Sequence, residues 1–221
     1  MNKSIPKTHI GILVMLGAVW GLSEAGLGMG LRSCAASVSG SLMTGVALFF
    51  IAAGWMLSRR VFGVVLLVAI AALFKMFDAL LLSYPIKHGA IANPIFAFIM
   101  EAAAFIVLIS LIKNRLSQKP TGQALLGGMT ALLAANLFPL VKYATGIPAC
   151  VMAGTGYPLS LYYVHFAILV SIVTVPLGFW VGAKAEVFSS QFVSNHSRMN
   201  YIYSPAALLI CLLIIVIIRL A

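Results

Sequence analysis

Apolar residues in this chain come in long, nearly unbroken runs separated by short polar breaks. The runs fall at about residues 9–31, 38–57, 61–82, 91–112, 124–143, 159–181 and 202–218. A helix needs about 20 apolar residues to cross the hydrocarbon core of a bilayer. The pattern therefore predicts an all-α, polytopic membrane helix bundle of six to seven transmembrane helices, forming a single integral membrane domain over residues 1–221. The stretch 184–200 is polar enough for a loop or a surface helix. The last run is short and either crosses or lies against the bundle.

Composition agrees with that pattern. The chain is 62% hydrophobic and 8% charged, against about 25% charged in a soluble domain, and its mean hydropathy is +1.10. The start at Lys3 and Lys7 imitates a signal peptide, but the following run continues through Glu24 into a Gly-rich end and reads as a first span. The formal charge of +10 sits mostly between the runs, as orientation signals do, and does not point to nucleic acid. With the N-terminus inside, the inner segments hold Lys3, Lys7, Arg59, Arg60, Lys113, Arg115, Lys119, Lys184 and Arg198. The outer segments hold Arg32, Lys87, Lys142 and Arg219. That bias places the N-terminus in the cytoplasm.

The acidic residues change the picture most. Of four, Glu24, Asp78 and Glu101 lie inside apolar runs. An ionisable group at the bilayer centre costs roughly 2.5–3.5 kcal/mol on insertion scales, so it faces a bundle interior or a watery cavity. Lys75 and Asp78, three residues apart, can touch on one helix face. They form either a structural ion pair or a charged ligand anchor. Asn93 precedes Pro94 at the start of the fourth run and reads equally as a helix cap or as an amide turned into a pocket. Asn136 is a second amide within an apolar run, one turn before Pro139. In the assumed orientation these residues gather toward the outer side, with Trp20, Tyr143, Tyr163 and His165 as aromatic or titratable neighbours. The expected ligand-binding set is therefore Trp20, Glu24, Lys75, Asp78, Asn93, Glu101, Asn136, Tyr143, Tyr163 and His165, around a pocket open to the outside.

Other chemistries lack their signatures. The four histidines show no i,i+3 or i,i+4 pair and there is no Cys-x-x-Cys, so no metal site and no cofactor is expected. Neither a phosphate-binding loop nor a Gly-x-Ser-x-Gly elbow is present, and no enzyme activity is expected. Cys34 and Cys150 both map to outer loops, where a disulfide and two free thiols fit equally.

The first run carries small residues four apart, Gly17, Gly21 and Ala25, within GAVWGLSEAG at 17–26. Such stripes let helices approach closely, either within a bundle or against another subunit. With this stripe, the chain length and the outward polar residues, the chain resembles the S components of energy-coupling factor transporters. These are the substrate-capturing membrane subunits of vitamin and metal importers. The resemblance implies a prokaryotic inner (plasma) membrane location and capture of a small polar solute such as a vitamin or its precursor. It further implies that Gly17, Gly21 and Ala25 dock on a transmembrane coupling subunit driven by partner ATPases. Two alternatives use the same residues: a proton- or sodium-coupled secondary transporter, and a structural or electron-transfer subunit of a larger membrane complex.

Overall fold

The computed structural model describes residues 7–30, 36–85, 87–112, 118–147, 149, 151, 154–195 and 200–220. Every apolar run is a helix. In chain order these are α1 (Lys7–Gly30), α2 (Ala36–Ser58), α3 (Val61–Leu81), α4 (Gly89–Leu111) and α5 (Pro120–Leu137). A short α6 (Val141–Thr145) follows, then α7 (Leu159–Asn195) and α8 (Asn200–Leu220). Six segments are long and apolar enough to cross a membrane: His9–Leu27, Ser39–Ser58, Val61–Leu81, Gly89–Leu111, Pro120–Thr145 and Leu159–Phe188. The chain is an all-α integral membrane bundle.

Local chemistry explains where the helices begin and end. Between α2 and α3 the chain reverses at Arg59, which takes a left-handed φ of 52°. The Ser58 hydroxyl fixes that corner by donating to Gly54 O and accepting from Arg60 N–H. At α4 the cap is His88, whose Nδ1 accepts from Ala90 N–H. Asn93 is thus not the cap; it sits more than a turn inside the helix. The fifth run begins at Pro120 rather than near residue 124, because proline's missing N–H is harmless in a first turn. It breaks at Pro139 into a 3-10 turn (Phe138–Leu140) and then α6, which ends on Gly146 at φ 75°. The polar stretch from residue 184 continues α7 as helix to Asn195. At 1.5 Å per residue, this 37-residue helix is about 55 Å long and outruns a ~30 Å hydrocarbon core.

The bundle is organised around α2, which touches α1, α3, α4, α5 and α7. Glycines permit its closest approach to α7. A Cβ on Gly178 or Gly182 would strike the backbone of Phe49 or Ala53, and one on Gly45 would strike Val170. Helix association in lipid depends on such close packing rather than on a hydrophobic drive.

The seventh run is a helix, α8, but its apolar part, Pro205–Arg219, is shorter than the six spans. It lies along α1 and α3 and buries Cys211 and Ile215.

The small-residue stripe of α1 is used inside the chain. A Cβ on Gly17 would meet Ile70, and one on Gly21 would meet the Phe74 ring, both on α3. Ala25 is buried in the same cluster. The expectation that Gly17, Gly21 and Ala25 form an open docking face for another subunit is therefore corrected: α3 covers them. Cys34 and Cys150 lie outside the described residues, as do Arg32, Lys3, Lys113, Arg115 and Arg198.

This packing makes Gly21 intolerant of size. Gly21→Leu forces a side chain into Phe74, and overpacking of this kind costs about 1–3 kcal/mol. Gly26 has open space at its Cβ position. The thermal midpoint of the purified protein in detergent is expected to fall for Gly21→Leu and to hold for Gly26→Leu.

Candidate functional site

Four helices end and three begin at one pole of the bundle: α1, α3, α5 and α8 arrive there, and α2, α4 and α7 leave. Beneath that pole lies a cavity of about 150 Å³. The periodicity of α4 builds one wall. Asn93, Ala97 and Glu101 recur every four residues and so share a face, flanked by Pro94 and Phe98. Helix α2 supplies Gly40, Met43 and Thr44. Glu24 comes from α1, Phe138 from the turn after α5, and Tyr163 from the first turns of α7. The Tyr163 ring lies close against α2 at Gly40, where a Cβ would strike it.

The polar groups of this cavity are unusual for their burial. Glu24 is 3% exposed and Glu101 is 4% exposed. The Thr44 hydroxyl hydrogen-bonds the Glu101 carboxylate. Beyond that bond, Glu24 Oε2, Asn93 Oδ1 and Glu101 Oε2 are buried with no hydrogen-bond partner among the described residues. Buried polar atoms nearly always have partners, and each exception calls for an explanation. Here the three residues that hold such oxygens, from two helices, line one cavity. A chamber of about 20 Å³ continues past Glu101 toward Ala134 and Ala135, about enough for a water.

Asp78 does not line the cavity. It is 1% exposed and receives a two-pronged ion pair from Arg219 near the end of α8, Nε to Oδ1 and Nη2 to Oδ2. Lys75 Nζ lies 3.7 Å from Asp78 Oδ2, as the i,i+3 spacing predicts. Lys75 also acts through space on Glu24, and Glu24 on Glu101. A chain of charges thus runs from α8 through α3 to the cavity: Arg219, Asp78, Lys75, Glu24, Glu101.

The structure divides the expected ligand set. Glu24, Asn93, Glu101 and Tyr163 meet at the cavity. Lys75 and Asp78 stand behind it as an ionic support. Trp20 is fully buried one layer back, packed against Phe50 and Phe98. Three residues are corrected outright. Asn136 faces out of the bundle and donates to Leu132 O on its own helix. Tyr143 is 85% exposed. His165 is exposed and its ring packs on Phe166. Each lies on a helix that reaches the correct pole but on its outward face, which depth along the sequence does not reveal. Arg219 is corrected too: it is no outer-surface charge but the buried partner of Asp78, with its side chain 4% exposed.

Sequence reasoning missed Thr44, Met43, Phe98 and Phe138. Thr44 is the one with a signal, a hydroxyl in an apolar run. Threonine is frequent enough in membrane helices that the signal is weak.

A larger void, about 420 Å³, lies between α5 and α7. Its lining is Ala124, Leu125, Gly128, Met129, Leu132, Ile168 and Ile172. Nothing in that groove can recognise a polar solute. Among the described residues no three His, Cys, Asp or Glu side chains cluster to hold a metal ion. The chain matches no protein-family model, no curated protein and no solved structure.

The ion-pair chain has an energetic signature. Removing one partner of a buried pair typically costs about 3–5 kcal/mol, because the other charge is stranded. Asp78→Asn strands both Arg219 and Lys75, whereas Arg219→Met leaves Asp78 with Lys75. The expected order of thermal midpoints is wild type, then Arg219→Met, then Asp78→Asn, with the double variant recovering part of the Asp78→Asn loss. A double-mutant cycle on the purified protein checks this.

Proposed function

We propose that this chain is the solute-binding membrane component of a transport system, and that its cavity captures a small cationic solute. One observation carries the reading. Glu24, Asn93 and Glu101 line one cavity, and each holds a buried oxygen with no hydrogen-bond partner among the described residues. Two carboxyl groups beside an amide oxygen suit a cation or a hydrogen-bond donor. Apart from the Thr44 and Tyr163 hydroxyls the remaining lining is apolar or aromatic, which strengthens charge interactions and offers ring faces to a cation.

The cavity's size narrows the solute. Sites for drug-sized ligands run about 300–1,000 Å³, so a void of about 150 Å³ suits something smaller than most vitamins. The positive-charge bias supports an arrangement with the N-terminus in the cytoplasm and the cavity near the outer face. Withdrawing the buried Arg219 from the outer charges sharpens that bias. The importer reading assigns the energy source to partner ATPases, since the sequence carries no phosphate-binding loop. A coupling subunit would have to use a surface other than the α1 stripe, which α3 covers.

Binding of radiolabelled methylammonium and sodium to the purified protein in lipid nanodiscs tests this. Truncating one side of a buried charged contact costs about 2–5 kcal/mol, or more than roughly thirtyfold in affinity. Glu101→Gln and Asn93→Leu are expected to lose binding by that margin, while Asn136→Ala and Tyr143→Ala keep it. Wild-type affinity in Glu101→Gln would contradict the assignment.

A further inference from the structure

We propose that the cavity exchanges a proton for its cationic solute: the Glu24 and Glu101 carboxyl pair is protonated when empty and releases one proton as the cation enters. The inference rests on the cation reading above. Burial provides the first argument. Glu24 and Glu101 are 3% and 4% exposed, and each has an oxygen with no hydrogen-bond partner among the described residues. A carboxylate buried in that setting needs a paired charge, and without one it takes up a proton instead.

The placing of the cations provides the second argument. Among the described residues the cations buried at this pole are Lys75 and Arg219, and both stand at Asp78. Lys75 acts on Glu24 only through space. Glu101 has the Thr44 hydroxyl of α2 and feels the carboxyl of Glu24 from α1. The other lining groups, Asn93 on α4, Phe138 after α5 and Tyr163 on α7, bring no positive charge. Two carboxyl groups that act on each other titrate as a pair, and in an apolar site one of them keeps its proton. When a cation enters, the O–H bond of one carboxyl breaks, its proton leaves to water, and the carboxylate pairs with the cation. The net charge of the site is then the same empty and loaded. Because the empty site holds the extra proton, acid favours the empty site and alkali the loaded one.

The test counts protons. Sodium or methylammonium is added to the purified full chain in weakly buffered nanodiscs with a pH-indicating dye. About one proton per cation bound is expected, with affinity rising about tenfold per pH unit from about pH 6 to about pH 8. Asp78 is the single aspartate, so infrared difference spectra of protein carrying isotope-labelled glutamate separate the pair from it. In Glu186→Gln, which leaves only Glu24 and Glu101 labelled, the protonated-carboxyl band is expected to fall and a carboxylate band to rise as the cation binds. His88→Asn and His165→Asn remove exposed histidines of the same pole and are expected to keep the pH slope. Cation binding at one affinity across this range, with no proton released, overturns the exchange and leaves the cation reading standing. So does a slope that vanishes with either histidine, or proton release with no change in the glutamate bands. Binding of neither cation at any of these pH values overturns both.

Discussion

A carboxylate in hydrocarbon needs a partner, and this bundle buries three within a short distance of one pole. Their compensation fixes much of the arrangement. Asp78 is held by Arg219 from α8 and by Lys75 from its own helix. That places the last helix against α1 and α3, although its apolar part is the shortest of the seven. Lys75 in turn acts through space on Glu24, and Glu24 on Glu101. Among the described residues no further cation is buried beside them. At the end of the chain of charges stands a cavity lined by Glu24, Asn93 and Glu101, each with a buried oxygen unmet among the described residues.

The helices that hold the cavity approach each other through glycine. Gly17 and Gly21 seat α1 on Ile70 and Phe74 of α3, and Gly45, Gly178 and Gly182 seat α7 on α2. Without these contacts Glu24 on α1 and Tyr163 on α7 would stand further from α4. The small residues of the first helix thus act on function by packing.

The fold was largely legible because long apolar runs leave few alternatives: all seven runs are helical, although the fifth breaks at Pro139 and the sixth continues to Asn195. The site was legible where burial cost gives an unambiguous signal. Glu24, Asp78 and Glu101 stood out as carboxylates among aliphatic residues, and each is buried. What one-dimensional reading lacks is rotation about the helix axis. Asn136, Tyr143 and His165 have the right depth but face outward, and depth alone made them candidates. Arg219 failed for a related reason. A basic residue closing an apolar run normally extends its charge to the interface, and only the position of α8 beside α3 reveals its pairing with Asp78. The α1 stripe had two readings, internal packing or docking, which differ only in which helix covers it.

The central claim is that Glu24 and Glu101 make the cavity a site that favours a cation. The most direct measurement is reactivity of a thiol placed in its wall. Ala97→Cys, in a chain with Cys34, Cys150 and Cys211 changed to serine, would be treated with ethylammonium methanethiosulfonate and with its ethylsulfonate counterpart. The account expects the cationic reagent to react at least about tenfold faster, and that preference to shrink in Glu101→Gln. Equal rates, or faster reaction of the anionic reagent, would contradict it.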